Sequence, residues 1–318
     1  MTNTQTYTVS SRIDDRGDIA RIRFSPKSGG QIIPFTAGAH IDIYLPDVDL
    51  WRQYSLCSDP AETGFYEIGV LKDPNSRGGS TAVHRLATEG AEFKVEGPRN
   101  HFPLDETATQ TVLLGGGIGV TPMIAMAKRL HALGKDFVLH YCTRSEEVTA
   151  FKDDLDGSDF ADKIVYHFDD QDDSQRLDLA QDLPAPDPDT HLYVCGPQGF
   201  MDWVIGAAEG AGHVPANVHR EYFSAEVELS GDSFEVECAQ SGITVTIGPN
   251  DTIAKALAKE GLKIDVKCEE GVCGTCITDV LSGEIDHRDQ FLTEDEREDG
   301  DQLCACCSRG KGKLVLDI

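Results

Sequence analysis

Six of the ten cysteines crowd together near the C-terminus: Cys268, Cys273, Cys276, Cys304, Cys306 and Cys307. The first three stand as C-x4-C-x2-C, the thiolate spacing of a [2Fe–2S] centre. Two irons bridged by sulfides need four thiolates in one compact loop, so a fourth must come from Cys304, Cys306 or Cys307. Gly271 and Gly274 lie among the first three. Glycine lets the backbone curl there, so that its N–H groups face the cluster sulfurs. Zinc is the competing reading, but it favours paired C-x2-C or histidine ligands, and the spacing of the first three favours iron and sulfide. Such a centre is a one-electron relay at low potential, near about −400 mV.

A second chemistry is carried by glycine turns. Gly115-Gly116-Gly117-Ile118-Gly119-Val120-Thr121-Pro122 follows a short apolar strand and opens a helix. Backbone N–H groups and the helix dipole make such a turn a seat for pyrophosphate. It is not the G-x-G-x-x-G fingerprint, because Val120 takes the third glycine position. A second turn, Arg77-Gly78-Gly79-Ser80, follows Val70-Leu71-Lys72 and precedes the apolar Thr81–Leu86, again a phosphate cradle. Arg52-Gln53-Tyr54-Ser55 adds an arginine able to grip a phosphate in two places, an aromatic ring and a hydroxyl. The histidines form no HExxH and no ligand spacing; His84, His101, His140 and His167 read as satisfied surface or core residues. No Ser-His-Asp arrangement is evident.

The elements that must position these residues fall into three segments. Over 1–108, strands are expected at Arg21–Phe24, His40–Leu45, Gln53–Leu56, Tyr66–Leu71 and Glu92–Val95, with turn residues between them, which suggests a small antiparallel β-barrel. Over 109–223 the pattern becomes strand alternating with helix: strands at Thr111–Leu114, Phe137–Tyr141, Ile164–Phe168 and His191–Cys195, helices at Thr121–Leu133, Ser145–Leu155 and Pro197–Gly210. That alternation predicts an α/β domain with a parallel sheet. Thr121 is expected as an N-cap with Pro122 in the first helical position, and Gly134 as the C-terminal stop. Residues 224–231 read as a linker. Over 232–318, strands are expected at Ser233–Cys238, Ile243–Ile247 and Leu314–Asp317, with a helix at Thr252–Lys259. Asp169–Asp173 and Glu294–Asp301 are expected as solvated loops.

The net charge is −27. The last 95 residues carry 9 basic against 21 acidic side chains, or −12. Acidity excludes nucleic acid as a partner, since phosphate must be met by Lys and Arg. It suits steering toward a basic protein surface. No run of about 18 apolar residues predicts a membrane span, and Met1–Ser10 has no apolar signal core, so a cytoplasmic location is expected. Ten cysteines without an export signal argue for metal or redox chemistry over disulfides.

With these motifs assembled, the chain resembles the phthalate dioxygenase reductase and vanillate O-demethylase reductase family. The string Cys268-Glu269-Glu270-Gly271-Val272-Cys273-Gly274-Thr275-Cys276 resembles the plant-type ferredoxin domain, of β-grasp fold, at the C-terminus of those proteins. The resemblance implies that Cys306, after 29 intervening residues, is the fourth ligand, leaving Cys304 and Cys307 structural. Arg52, Tyr54 and Ser55 fit the RxYS motif of the family's flavin barrels, with Val70, Lys72, Gly78, Gly79 and Ser80 as its second half. The order barrel, nucleotide domain, ferredoxin implies FMN as the flavin. Gly115, Gly116, Gly117, Gly119 and Thr121 resemble the nicotinamide loop. Tyr141–Ser145, with Arg144, resembles the adenosine segment, and a single cation beside Asp169-Asp170 favours NADH over NADPH. Tyr193–Pro197 resembles the segment near the nicotinamide, so Cys195, Gly196 and Pro197 are candidates there. Phe223, in Glu221-Tyr222-Phe223, resembles the aromatic residue that lies on the flavin. By resemblance, Thr121, Cys195 and Phe223 position the transferring rings. Electrons are expected to run from NADH to FMN to [2Fe–2S] to the terminal component of a Rieske-type oxygenase, with the reductase a monomer. The alternatives are a reductase for a haem monooxygenase or other acceptor, and a non-enzymatic iron–sulfur redox sensor.

Overall fold

The structure is a computed structural model and describes residues 4–318 apart from 75, 77 and 224–227; for Asp173 it describes the backbone alone. Arg77 and the first half of the expected linker therefore lie outside the described residues. The chain divides into two compact units, Met1–Glu221 and Tyr222–Ile318.

The first unit begins with a barrel built from β1 (Gln5–Asp15), β2 (Ile19–Pro26), β3 (His40–Leu45), β4 (Leu50–Ser55), β5 (Tyr66–Leu71), α1 (Gly79–Leu86) and β6 (Glu92–Arg99). Its six antiparallel strands run in the order β4-β3-β6-β1-β2-β5. A bridge between Leu56 and Ile68 joins the two ends of the sheet. Alternation along the strands sends Ile22, Phe24, Ile41, Ile43, Tyr66 and Ile68 into one core. β1 is absent from the sequence expectation. It places only Tyr7 and Val9 in that core, too few apolar residues to stand out as a strand.

The unit continues with β7 (Gln110–Gly116), α2 (Val120–Ala132), β8 (Asp136–Thr143), α3 (Lys152–Asp156), β9 (Ile164–Phe168), α4 (Leu179–Asp182), β10 (Thr190–Cys195), α5 (Gln198–Ala211) and β11 (Val218–Glu221). All five strands are parallel, in the order β11-β10-β7-β8-β9. From β7 the chain winds one way through β8 and β9, then returns to the other side through β10 and β11. The strand order reverses between β7 and β10, and ligands of such sheets bind in the crevice at the carboxyl ends of the strands where this happens.

Two expectations in this segment need correction. Thr121 is not an N-cap: α2 is entered directly from a single 3-10 turn, Gly117–Gly119. Thr121 lies inside its first turn, where its hydroxyl donates to the Ile118 carbonyl (3.0 Å). The helix expected over 145–155 is broken, because Phe151 adopts φ +62°. Its N–H donates to Asp15 Oδ2 (2.9 Å) and its ring lies under the Arg21 guanidinium. Contact with the barrel overrides helical propensity at this point. The same seam holds Ile19, Ala37 and Cys57 of the barrel in one core with Met123, Tyr141 and Phe151. It also buries Arg21 in ion pairs with Glu67 (2.9 Å), Asp15 and Asp154.

The second unit contains β12 (Phe234–Cys238), β13 (Ile243–Ile247), α6 (Ile253–Lys259), β14 (Ile277–Ser282), β15 (Ile285–Asp286), α7 (Glu294–Asp299), β16 (Gln302–Cys304), β17 (Arg309–Gly310) and β18 (Leu314–Leu316). The mixed sheet runs β13-β12-β18-β14-β16. Its central strand β18 is parallel to β12 and antiparallel to β14, and α6 packs Ile253, Ala256 and Leu257 into the core beneath it. This is the β-grasp arrangement. The run Glu294–Asp301 is solvated but is not a loop: α7 forms on a reciprocal cap between Thr293 and Glu296. Three of its five acidic residues, Glu294, Asp295 and Glu296, stand in the first turn, where the helix dipole favours them.

Candidate functional site

The two halves of the expected flavin motif come from elements far apart in sequence and meet in space. Arg52, Tyr54 and Ser55 lie on β4, and Gly78 and Gly79 open α1. A methyl group added at Gly79 would lie 2.8 Å from Arg52 Nε, so the arginine side chain runs directly over the helix N-terminus. Gly78 has φ +99°. Ser76 Oγ accepts from the N–H groups of Gly78 and Ser80, and Ser80 Oγ accepts from the Asp73 N–H. This donor set, one guanidinium beside a turn of backbone N–H groups, has the chemistry of a phosphate seat. α1 is tied to β5 through His84, whose Nε2–H donates to the Val70 carbonyl (2.8 Å). The Val70 side chain is buried in the barrel core, so only its backbone is available to a ligand. Lys72 is exposed. Burial pushes the Tyr54 phenol up, which keeps it protonated.

The carboxyl end of the parallel sheet meets the barrel at Ser55, the last residue of β4. Gly115 and Gly116 end β7, and Cys195 ends β10 in register with Gly115. Gly119 sits so close to the Cys195 carbonyl that no Cβ fits between them. Gly196 and Pro197 continue from Cys195 into α5. Thr121 approaches the barrel: a methyl at Gly69 of β5 would lie 3.0 Å from Thr121 Cγ2. Arg144 follows β8 and is exposed. Its carbonyl accepts from the Asp170 N–H (3.0 Å), so the acidic turn after β9 sits against it.

One residue missing from the sequence expectation completes this junction. Glu221, the last residue of β11, is paired in register with Cys195, and its Oε2 accepts from Ser55 Oγ at 3.0 Å. The serine of the expected flavin motif, the cysteine of the expected nicotinamide segment and a half-buried carboxyl therefore converge. Burial pushes the Glu221 carboxyl up to about 7, and the Ser55 hydrogen bond only partly opposes this. Its sequence signal was its place two residues before Phe223, in a segment read only for its aromatic ring. Phe223 itself is 38% exposed and belongs to the second unit. The thiols of the first unit are all pushed up by burial: Cys57, Cys142 (to about 12) and Cys195.

In the second unit all six clustered cysteines are buried and reduced. Cys268 is pulled well down by hydrogen bonds from Cys273 and Cys306 and by the backbone N–H groups of Glu270 and Val272. Cys276 is pulled down by Cys304 and Cys306. Cys306 thus lies against both ends of the C-x4-C-x2-C run. The run curls because Glu269, Gly271 and Gly274 all have positive φ. A side chain at Gly274 would enter the Phe291 ring, and one at Gly271 would strike Cys307 Sγ. Cys273 and Cys306 are pushed up, chiefly by the hydrogen bonds they give to neighbouring thiols. Four convergent sulfurs beside backbone N–H groups fit a [2Fe–2S] cluster. Cys307 packs behind the loop, and its Sγ–H points to the Cys304 carbonyl.

The chain matches three domain families in order: the oxidoreductase FAD-binding domain over residues 6–103, the oxidoreductase NAD-binding domain over 113–205 and the 2Fe-2S iron-sulfur cluster binding domain over 236–311. It is 46% identical to the vanillate O-demethylase oxidoreductase of Pseudomonas sp. (strain HR199 / DSM 7063), over 95% of this chain and 96% of that one. It is 38% identical to the phthalate dioxygenase reductase of Burkholderia cepacia, over 98% of this chain and 96% of that one. The chain belongs to the phthalate dioxygenase reductase and vanillate O-demethylase reductase family. A solved phthalate dioxygenase reductase structure superposes with a TM-score of 0.76 at 37% identity, covering 99% of this reductase and 98% of that chain. A self-sufficient type IV cytochrome P450 monooxygenase superposes with a TM-score of 0.86 at 37% identity. The reductase spans 41% of that longer chain. The reductase is an oxidoreductase with NADH-binding, flavin-binding and [2Fe–2S] domains.

Two outcomes follow from this geometry. Cys306→Ser should abolish the cluster's visible absorption and iron content, whereas Cys304→Ser and Cys307→Ser should each retain iron; iron analysis on the three purified variants decides. For Glu221, the raised carboxyl pKa costs stability as pH rises from about 4.5 through about 7, because the unfolded chain ionises first. Glu221→Gln should therefore gain on the wild type by about 2–3 kcal/mol between pH 5 and pH 8, read as a growing Tm difference.

Proposed function

We propose that this reductase takes hydride from NADH onto FMN and passes the electrons singly through its [2Fe–2S] centre to a separate terminal oxygenase of the Rieske type. The observation that carries this reading is the junction of Ser55, Glu221 and Cys195, which puts the flavin barrel's motif against the nucleotide sheet's switch point. When bound, the flavin converts a two-electron hydride donor into a one-electron source, and the cluster relays those electrons onward.

The side chains bind and orient. Arg52 with Gly78, Gly79 and Ser80 receives the flavin phosphate, and Tyr54 packs on the flavin. FMN is favoured by the domain order, barrel first and ferredoxin last, and by likeness to phthalate dioxygenase reductase. The turn Gly115–Gly119 receives the NADH pyrophosphate. Thr121 and Cys195 border the nicotinamide, and the neutral form of Glu221, hydrogen-bonded by Ser55, adds no negative charge beside a hydride donor. Asp169 and Asp170 beside Arg144 repel a 2′-phosphate, which supports NADH over NADPH. Phe223 is the candidate aromatic lid for the flavin. Cys268, Cys273, Cys276 and Cys306 hold the cluster.

Relatives named as oxygenase reductases support an oxygenase partner. A second reading, delivery to a haem monooxygenase, draws on the likeness to the P450 monooxygenase chain. The reading takes the reductase as a cytoplasmic monomer; among the described residues no helix is long and apolar enough to cross a membrane.

Anaerobically purified protein should show flavin bands over broad iron–sulfur absorption, both bleached by one equivalent of NADH, and should release FMN on denaturation. A spectrum unmoved by NADH sinks the reading, and released FAD sinks the flavin assignment. The acidic second unit is the proposed docking surface. Glu269→Lys with Glu270→Lys should slow electron delivery to the oxygenase about tenfold at low salt, with flavin reduction by NADH and iron content unchanged. Delivery at the wild-type rate would move the docking site elsewhere.

A further inference from the structure

The histidines of the nucleotide domain show no ligand spacing in sequence, yet two of them face each other across neighbouring strands. His140 on β8 and His167 on β9 are both buried, and His140 Nδ1 lies 2.9 Å from His167 Nε2. Asp182, at the end of α4, brings a carboxylate oxygen to the same point; the three ligand atoms lie within 4.8 Å of one another. Strand alternation puts His140 on the face opposite Leu139 and Tyr141, which pack in the core with α2. The cluster is therefore separate from the nicotinamide, flavin and iron–sulfur sites described above.

Hydrogen bonding sets the histidines up as ligands. His167 bonds the backbone at Gln175 and Arg176. Since its Nε2 faces His140, the nitrogen that donates to those carbonyls is Nδ1, which leaves the Nε2 lone pair pointing inward. A carbonyl behind a ring nitrogen is the usual support of a metal-bound histidine. Burial lowers the pKa of both rings, His140 to about 4, so both are neutral near pH 7. His140 Nε2 is buried with no hydrogen-bond partner among the described residues. The two rings and the Asp182 carboxylate, whose Oδ2 also accepts from the Asp178 N–H (2.7 Å), thus bring three ligand atoms to one point.

We propose that His140, His167 and Asp182 form a site for a divalent first-row metal ion, taken by Zn2+. Zinc accepts two imidazoles and a carboxylate with water in the fourth position. Two bonds of about 2.1 Å at a tetrahedral angle put the nitrogens about 3.4 Å apart, about half an ångström beyond the 2.9 Å separation seen here. Binding needs only a tautomer shift: the proton on His140 Nδ1 moves to Nε2, and no proton leaves the pair. The ion staples α4, and the stretch that leads into it from β9, onto the edge of the parallel sheet. Cys142 stands opposite His167 in the register, on the same face as His140, but is not one of the three converging groups.

The test uses the intact reductase, with flavin and cluster bound, dialysed against chelator-buffered submicromolar Zn2+. The expected result is one zinc per chain beyond the iron, a higher Tm, and a loss of zinc affinity of more than about 100-fold in His140→Gln and in His167→Gln, beyond what losing an outer-shell partner costs. Flavin and iron content should stay at wild-type levels in both, and Cys142→Ser should bind zinc as wild type does. No bound zinc, or zinc retained in both histidine variants and lost in Cys142→Ser, overturns the site. Should the histidine variants fail to fold, 113Cd NMR of the wild-type protein decides. A single resonance in the nitrogen and oxygen ligand range supports the site, and no resonance or one in the thiolate range overturns it.

Discussion

At the carboxyl end of β7 the backbone of Gly119 rests on the carbonyl of Cys195, with no room for a side chain between them. Most of the first unit's chemistry hangs on that contact. It lets α2 start at the lip of the switch point, and it fixes the end of β10 against the end of β7. It thereby fixes Cys195 beside Glu221, its register partner on β11. Glu221 in turn reaches Ser55 in the barrel. A single β-carbon at Gly119 would push β10 outward and carry this chain of contacts with it.

The seam between barrel and nucleotide sheet protects the same alignment by different means. Arg21 is buried there with Glu67 and the largely buried Asp15 and is met from the surface by Asp154, and Phe151 gives up helical geometry to pack beneath Arg21. Removing one partner of such a cluster is costly because it strands the others without water. The two segments, which the sequence pattern reads as separate domains, form one compact unit with a shared core. The junction at Ser55 is thus held by a rigid frame rather than by a hinge.

Much of this was legible from residue types and spacing. The strands with strong alternation, His40–Leu45, Tyr66–Leu71 and Ile164–Phe168, fall where their apolar residues put them. The cysteine spacing predicted thiols that converge. What escaped has physical reasons. β1 is mostly polar and owes its place to pairing with strands on both sides. α7 carried a Thr-x-x-Glu capping signal that its run of charge concealed. Glu221 could not be singled out, because a lone glutamate at a strand end is ordinary until the fold shows what buries it. The pairing of His140 with His167 joins residues 27 apart in sequence, and only the parallel register of β8 and β9 brings them together.

The high pKa values of Cys57, Cys142 and Cys195 have a consequence for endurance. A reduced flavin exposed to oxygen is a source of peroxide, and peroxide attacks the thiolate rather than the thiol. Burial keeps all three thiols protonated near pH 7. Cys195, beside Glu221 and Ser55, is therefore a compact, polarisable wall that resists oxidation by peroxide.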